Sequence, residues 1–206
     1  GVLWQGRDLT VYDIDPDEDY VFKAGRRGYL FNLLLKPLAG YTFTEDTVVK
    51  VNNQTAQWEF RDAGDGSIAI LYWFNVPGTL LKTVNVSLAA PVAGEAPSYT
   101  PTCAPNSKIS FCRWNDTNKK IMSWYDVTGG FQKKIDPDSG YLFEPGHTYK
   151  AIICISPDPG YYLAYNGSTS GYLNGEKMTY TGMDDKPDWL TYTFSYTFPA
   201  TEKTDI

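Results

Sequence analysis

A single histidine, His147, stands in 206 residues. Most His-based catalytic dyads, triads and metal sites are thereby excluded at once. Basic residues are also scarce: 18 Lys and Arg against 24 Asp and Glu leave a net charge of −6. A phosphate binder needs a clustered basic surface, so nucleic acid is not expected as a partner. No apolar run approaches the ~18 residues of a spanning helix, so no membrane insertion is expected. No segment carries a sustained helical period with caps, and helices are not expected either. The chain opens on Gly1 with neither an initiator Met nor a signal-like start, and it reads as processed or trimmed.

Cysteine is sparse as well, with three residues at irregular spacing. That pattern is neither a disulfide framework nor a zinc set. Cys103 and Cys112 flank a stretch with central turn residues, so a hairpin would bring them opposite each other. Spacing alone leaves both a bridge and two free thiols open. Cys154, inside Tyr-Lys-Ala-Ile-Ile-Cys-Ile, reads as a small buried hydrophobe.

Aromatics are what the chain has in abundance: 16 Tyr, 10 Phe and 6 Trp. Such residues favour strands and large apolar contacts. The most informative feature is internal similarity. Ile14-Asp15-Pro16-Asp17-Glu18-Asp19-Tyr20-Val21-Phe22 matches Ile135-Asp136-Pro137-Asp138-Ser139-Gly140-Tyr141-Leu142-Phe143 at six of nine positions. The correspondence continues through Gly25 and Gly146, Tyr29 and Tyr149, Pro37 and Pro157, and Gly40-Tyr41 and Gly160-Tyr161. It needs one extra residue near Arg26-Arg27 and two between Tyr165 and Gly171. Beyond these, Asn52 falls on Asn174 and Pro77 on Pro199 without a gap, and upstream Trp4 falls on Trp124. Two copies of one structural unit are expected. Residues 80 to about 120 have no counterpart upstream, so the first copy reads as lacking its amino-terminal strands. The copies are placed at 1–79 and 80–206, joined at a short Pro77-Gly78-Thr79 turn that suggests a restricted angle.

Each copy reads as β. Tyr149, Ala151, Ile153 and Ile155 alternate, with Leu30 to Leu35 as the equivalent run, and Val84-Asn85-Val86-Ser87-Leu88 alternates in the same way. Tyr192, Phe194, Tyr196 and Phe198 mark a closing strand entered through Asp184-Asp185-Lys186-Pro187-Asp188, with Asp62-Ala63-Gly64-Asp65-Gly66 as its counterpart. Short strands separated by turns indicate sandwiches. The fold class expected is all-β, with two tandem immunoglobulin-like β-sandwich repeats.

Phe143-x-x-Gly146, Tyr149, Gly160-Tyr161, Asn174-Gly175 and Tyr196-x-Phe198-Pro199 follow Ala90-Pro91-Val92-Ala93-Gly94-Glu95-Ala96-Pro97. This pattern resembles the Ig-like repeats of secreted bacterial surface proteins, as in multi-domain proteins of Firmicutes and related anaerobes. It covers nearly all of the second copy and the carboxy-terminal part of the first. The first copy departs in carrying Asn52-Asn53 for Asn-Gly and in lacking the Ala-Pro-Val segment. The resemblance implies a secreted or cell-surface stalk or adhesion role, with no catalytic residue to carry over.

Several positions admit a chemical reading beside a plain one. The acidic run Asp13 to Asp19 offers carboxylates for Ca²⁺, but the glycine and distal glutamate of an EF-hand loop are missing, and a turn is the simpler reading. His147 has neither a nucleophile nor an orienting carboxylate nominated in sequence, so a solvated turn residue is expected. Four Asn-x-Ser/Thr triplets, at Asn53, Asn85, Asn115 and Asn166, carry meaning only for a eukaryotic source.

Aromatics shared by the copies (Trp4 and Trp124, Tyr29 and Tyr149, Trp58 and Tyr180) are expected in cores. Those in one copy only are the binding candidates: Trp73 opposite Ser195, Trp189 opposite Ser67, Tyr162 opposite Thr42, and Trp114 with no counterpart. Such rings stack on sugars or anchor protein contacts.

The expected function is a non-catalytic spacer or adhesion module, with no cofactor and no metal, and with a glycan or a host or surface protein as partner. A carbohydrate-binding module is the second reading. A glycoside hydrolase with paired carboxylates is the third. Self-association through the open edge of the first copy is a further expectation.

Overall fold

The computed structural model describes residues 2–5, 11–14, 22–25, 29–61, 64–110, 121–164, 166–186 and 189–202. For 2–5, 11–14, Ser110, Lys186 and Trp189 it describes the backbone alone. The chain divides into two compact units, Gly1–Pro77 and Gly78–Ile206. Among the described residues the only helical element is a short 3₁₀ turn, Thr128–Gly130. The absence of helical periodicity in the sequence thus corresponds to an all-β structure.

The first unit contains β1 (Val2–Gln5), β2 (Val11–Ile14), β3 (Tyr29–Leu35), β4 (Lys50–Val51), β5 (Gln54–Thr55), β6 (Gln57–Phe60) and β7 (Ile68–Phe74). Five of these form one sheet in the order β2-β1-β3-β7-β6, while β4 and β5 form a separate hairpin. Ile68 and Ile70 from β7 and Ala56 make its buried centre, with Leu35, Phe43, Val49, Val51, Trp58 and Tyr72 packed around them.

The second unit contains β8 (Thr79–Leu80), β9 (Thr83–Ser87), β10 (Thr102–Cys103), β11 (Ser107–Ser110), β12 (Met122–Asp126) and β13 (Lys133–Lys134). It continues with β14 (Tyr149–Pro157), β15 (Tyr161–Tyr162), β16 (Ser170–Leu173), β17 (Glu176–Lys177), β18 (Thr179–Lys186) and β19 (Trp189–Thr197). One sheet runs β13-β12-β14-β19-β18, with β11 also on β14, and the other runs β10-β9-β16-β17. The core contains Trp124, Tyr149, Ala151, Ile153, Ile155, Tyr192 and Phe194 from the larger sheet and Val84, Val86 and Leu173 from the smaller. The alternating runs seen in the sequence supply these positions, since period-two alternation sends every second side chain to one face.

The larger sheets of the two units share one strand order. Local details repeat too. Tyr29 and Tyr149 are both fully buried. Each hydroxyl accepts a backbone N–H from just upstream, Lys23 at 2.7 Å and Glu144 at 2.7 Å. Asn52-Asn53 and Asn174-Gly175 both form the tight turn of a hairpin, with φ of 48° and 63° in one and 51° and 89° in the other. Ala56 N–H bonds Val49 O and Met178 N–H bonds Gly171 O at the matching positions.

Cross-strand register corrects the sequence alignment at two places. Leu33 faces Ile70, and Ile153 faces Phe194. With Tyr29 matched to Tyr149, Ile70 therefore corresponds to Phe194 and Trp73 to Thr197, not Ser195. Ser67 likewise corresponds to Thr191, not Trp189. Trp58 and Tyr180 stay matched, because they pair with Ile70 and Phe194 respectively. Two extra residues thus lie in the β18–β19 hairpin. Asp184, Asp185 and Lys186, read as turn, are strand residues facing Thr191, Leu190 and Trp189. Upstream, Val2 faces Phe31 while Trp124 faces Ala151, which places Val2, not Trp4, on Trp124.

The cysteines also differ from expectation. Cys103 is a free thiol, so it does not bridge to Cys112, which lies outside the described residues. Burial pushes the Cys103 thiol up from its ordinary value, against a lowering contribution from Ser107, so it stays protonated and poorly nucleophilic. Cys154 is not merely a buried hydrophobe, because it is disulfide-bonded. It pairs across the ladder with Ser110, and its N–H bonds Ile121 O at 3.5 Å. Ser110 and Ile121, on either side of residues 111–120, thus both lie beside Cys154.

Candidate functional site

Among the described residues, two places gather side chains that could do chemistry or bind. The first surrounds the only histidine. β12 ends at Asp126, opposite Tyr149 where β14 begins. The turn leading into β14 carries His147, whose Nδ1 lies 2.7 Å from Asp126 Oδ2. Its Nε2 lies 3.4 Å from Glu144 Oε2. The orienting carboxylate that the sequence did not nominate is thus present, and His147 is half-buried, not a solvated turn residue. No sequence motif could have found Asp126, because 21 residues separate the pair and only the antiparallel ladder joins them.

Asp126 is held in turn by Thr128, whose N–H and hydroxyl donate to Oδ1 at 2.9 and 2.5 Å. Burial raises the Asp126 carboxyl, but the Thr128 hydrogen bonds and then His147 outweigh it, leaving the group below its ordinary 3.8. Thr201 closes the cluster. Its hydroxyl donates to Glu144 O at 2.6 Å and accepts from His147 N–H at 3.2 Å, and its own N–H bonds His147 O at 2.9 Å.

Asp126 fixes the imidazole through Nδ1, and Glu144 stands beside Nε2. The nearby hydroxyls of Thr128 and Thr201 are spent on Asp126 and on backbone carbonyls. The cluster pins Thr201 to the turn before β14.

Asp126→Asn is expected to cost the second unit about 1–2 kcal/mol at neutral pH, through loss of charge-assisted hydrogen bonds. A carboxyl lowered by folding stabilises fully above its unfolded pKa and loses that contribution as pH falls through the folded one. The difference between wild type and variant in urea melts should therefore hold at pH 6 and shrink as pH drops below 3.8. A difference unchanged at pH ~2 would rule out the charged carboxylate as its source.

The second place is the outer face of the first unit's sheet. Leu30 and Trp73 face each other across β3 and β7, as do Leu34 and Ala69. Trp73 is 48% exposed and Leu34 50% exposed. Their counterparts in the second unit are Lys150 opposite Thr197, and Cys154 opposite Thr193. At Leu30 and Trp73 an apolar pair thus stands where the second unit carries the polar pair Lys150 and Thr197. Gln57 and Glu59, exposed on β6, flank it.

Of the four aromatics singled out in sequence, Trp73 belongs to the first unit and Tyr162, Trp189 and Trp114 to the second. Trp73 is exposed on the first unit. Tyr162 belongs to the second, half-buried in β15, where it pairs in parallel with Leu80 of β8. Trp189 opens β19 opposite Lys186, but its side chain lies outside the described residues, as does all of Trp114. The acidic run at 15–19 is likewise outside them. Among the described residues no three His, Cys, Asp or Glu converge as a metal site, and no helix is long and apolar enough to cross a membrane. The chain matches no protein-family model, no curated protein and no solved structure.

Proposed function

We propose that this chain is a non-catalytic spacer and adhesion segment of a secreted or cell-surface protein, built from tandem immunoglobulin-like repeats. The observation that carries this reading is the shared strand order of the two units' larger sheets. Repeating a whole unit adds length and binding valency, whereas a single active site needs only one. Two features lend support. A buried tyrosine that begins a strand and bonds upstream backbone, present in both units, is akin to the tyrosine corner of immunoglobulin sandwiches. The disulfide at Cys154 suits an oxidising, extracellular compartment.

Adhesion is assigned to the outer face of the first unit, because Trp73 is exposed there without a counterpart in the second. Its expected ligand is a glycan or a protein surface, since an exposed indole serves both by stacking and desolvation. Screening the whole chain on an array of mucin and plant polysaccharide glycans, beside Trp73→Ala and Trp189→Ala, tests this. Trp73→Ala should lower affinity at least tenfold, about 1.4 kcal/mol, with melting unchanged. Loss in Trp189→Ala alone would move the site to the second unit. Turnover of chromogenic glycosides or esters would overturn the non-catalytic reading.

A further inference from the structure

The chain contains two Asn-Gly pairs, Asn166-Gly167 and Asn174-Gly175, both in the second unit. A glycine after the asparagine leaves its backbone nitrogen open to the carboxamide carbon, since no side chain stands in the way. The structure treats the two pairs differently. Asn174 is clamped: its Nδ2 donates to Leu88 O at 2.7 Å, and its Oδ1 accepts Leu88 N–H at 3.1 Å. Its own N–H bonds Val86 O at 2.9 Å, and its φ of 51° belongs to the tight turn between β16 and β17. Turning this carboxamide toward Gly175 breaks both of its bonds to the backbone of buried Leu88.

Asn166 is exposed and held on one side only. Its Oδ1 accepts Ser168 N–H at 3.1 Å, which folds the carboxamide back along the Gly167 peptide and draws electrons from its carbon. Its Nδ2 has no partner among the described residues. Gly167 N–H donates to Ala164 O at 3.3 Å, a long bond that local opening releases. The same glycine is hemmed in elsewhere. Its φ is 73°, and a Cβ there would lie 2.6 Å from Tyr180 Cδ1, so its backbone lies against that ring. Two residues on, Thr169 is buried, and its Oγ1 accepts Ala164 N–H at 2.9 Å and donates to Leu81 O at 2.8 Å. This loop thereby ties Ala164 to the segment between β8 and β9.

We infer that Asn166-Gly167 is a self-modifying site, at which the chain converts its own asparagine to aspartate and isoaspartate, and that Asn174-Gly175 is shielded by its clamp. The Gly167 nitrogen gives its proton to solvent hydroxide and attacks Asn166 Cγ. An N–Cγ bond forms, the Cγ–Nδ2 bond breaks, and Nδ2 leaves as ammonia with a proton from water. Water then adds to either carbonyl of the cyclic imide and opens it, and nothing is oxidised or reduced. Opening at one carbonyl gives aspartate. Opening at the other gives isoaspartate, which places an extra methylene in the main chain directly before Gly167, where Tyr180 leaves no room. The loop then moves off the ring, and the Thr169 tie between Ala164 and Leu81 is lost with it.

Peptide mapping by mass spectrometry of the whole folded chain, held at mildly alkaline pH, tests this. Asn166 should lose ammonia and take up water at least tenfold faster than Asn174. In urea, with the disulfide reduced, the clamp is gone and the two sites should convert at similar rates. Asn166→Gln, whose longer side chain closes the imide poorly, should remove the fast step. In the isoaspartyl species hydrogen exchange at the Ala164 amide should quicken, because Thr169 no longer accepts it. Conversion of Asn174 as fast as Asn166 in the folded chain overturns the inference. An Asn166 that stays intact while the urea-unfolded chain converts overturns it equally. Unchanged exchange at Ala164 in the isoaspartyl species overturns the loss of the Thr169 tie.

Discussion

Trp124→Ala is expected to destabilise the second unit by about 3–5 kcal/mol, a large fraction of what holds a domain together. Trp124 is fully buried and heads the largest such side chains. It packs on Phe143 at 5.3 Å and on Phe198 at 5.4 Å between ring centres. Its indole N–H donates to Ser98 O at 2.7 Å. Truncation therefore opens a cavity and leaves a carbonyl without its donor, two costs that add. The check is urea denaturation followed by separate probes in each unit. The midpoint of the second unit should fall while that of the first stays in place. Equal loss in both would show that the units do not hold separate cores.

Gly171→Val is the second large effect, and it can be reversed by copying the other unit. A Cβ at Gly171 would lie 2.8 Å from Phe194 Cδ1 and 3.0 Å from Met178 Cε, inside the core. Phe194 is itself buried, so it has little room to move, and overpacking of this kind costs about 1–3 kcal/mol. The first unit has solved the same packing differently. Val49 occupies the matching position and packs against the cluster that contains Ile70, the counterpart of Phe194. Gly171→Val combined with Phe194→Ile should therefore be more stable than the sum of the single changes implies, by about 1–3 kcal/mol of coupling. Additive free energies in the double-mutant cycle would show that Val49–Ile70 and Gly171–Phe194 are not the same contact.

That pair also shows where reading the sequence stopped short. Gapless alignment through Pro77 and Pro199 put Ile70 on Tyr192, two residues from its true counterpart. A strand alternates with period two, so a shift by two leaves every side chain on its own face, and the apolar pattern cannot detect it. Only the ladder, with Leu33 on Ile70 and Ile153 on Phe194, distinguishes the registers. The same shift moved Trp73 from Ser195 to Thr197, yet its status as an aromatic of one copy survived, since Thr197 is no more aromatic than Ser195. The candidate face on the first unit was half legible for this reason: the odd residue could be named, but its exposure and its Leu30 partner could not.

The sequence by itself determined the strands, the tight turns at Asn52-Asn53 and Asn174-Gly175, and the internal duplication. These follow from alternation, from residues that tolerate positive φ, and from repeated spacing, all of them local properties. Tertiary structure alone decided the register between strands, the meeting of His147 with Asp126, and the bonding of Cys154 but not Cys103. Each of these joins residues distant in sequence through backbone ladders or a shared core, and which partners meet is set by how whole sheets close, not by the residues on either side.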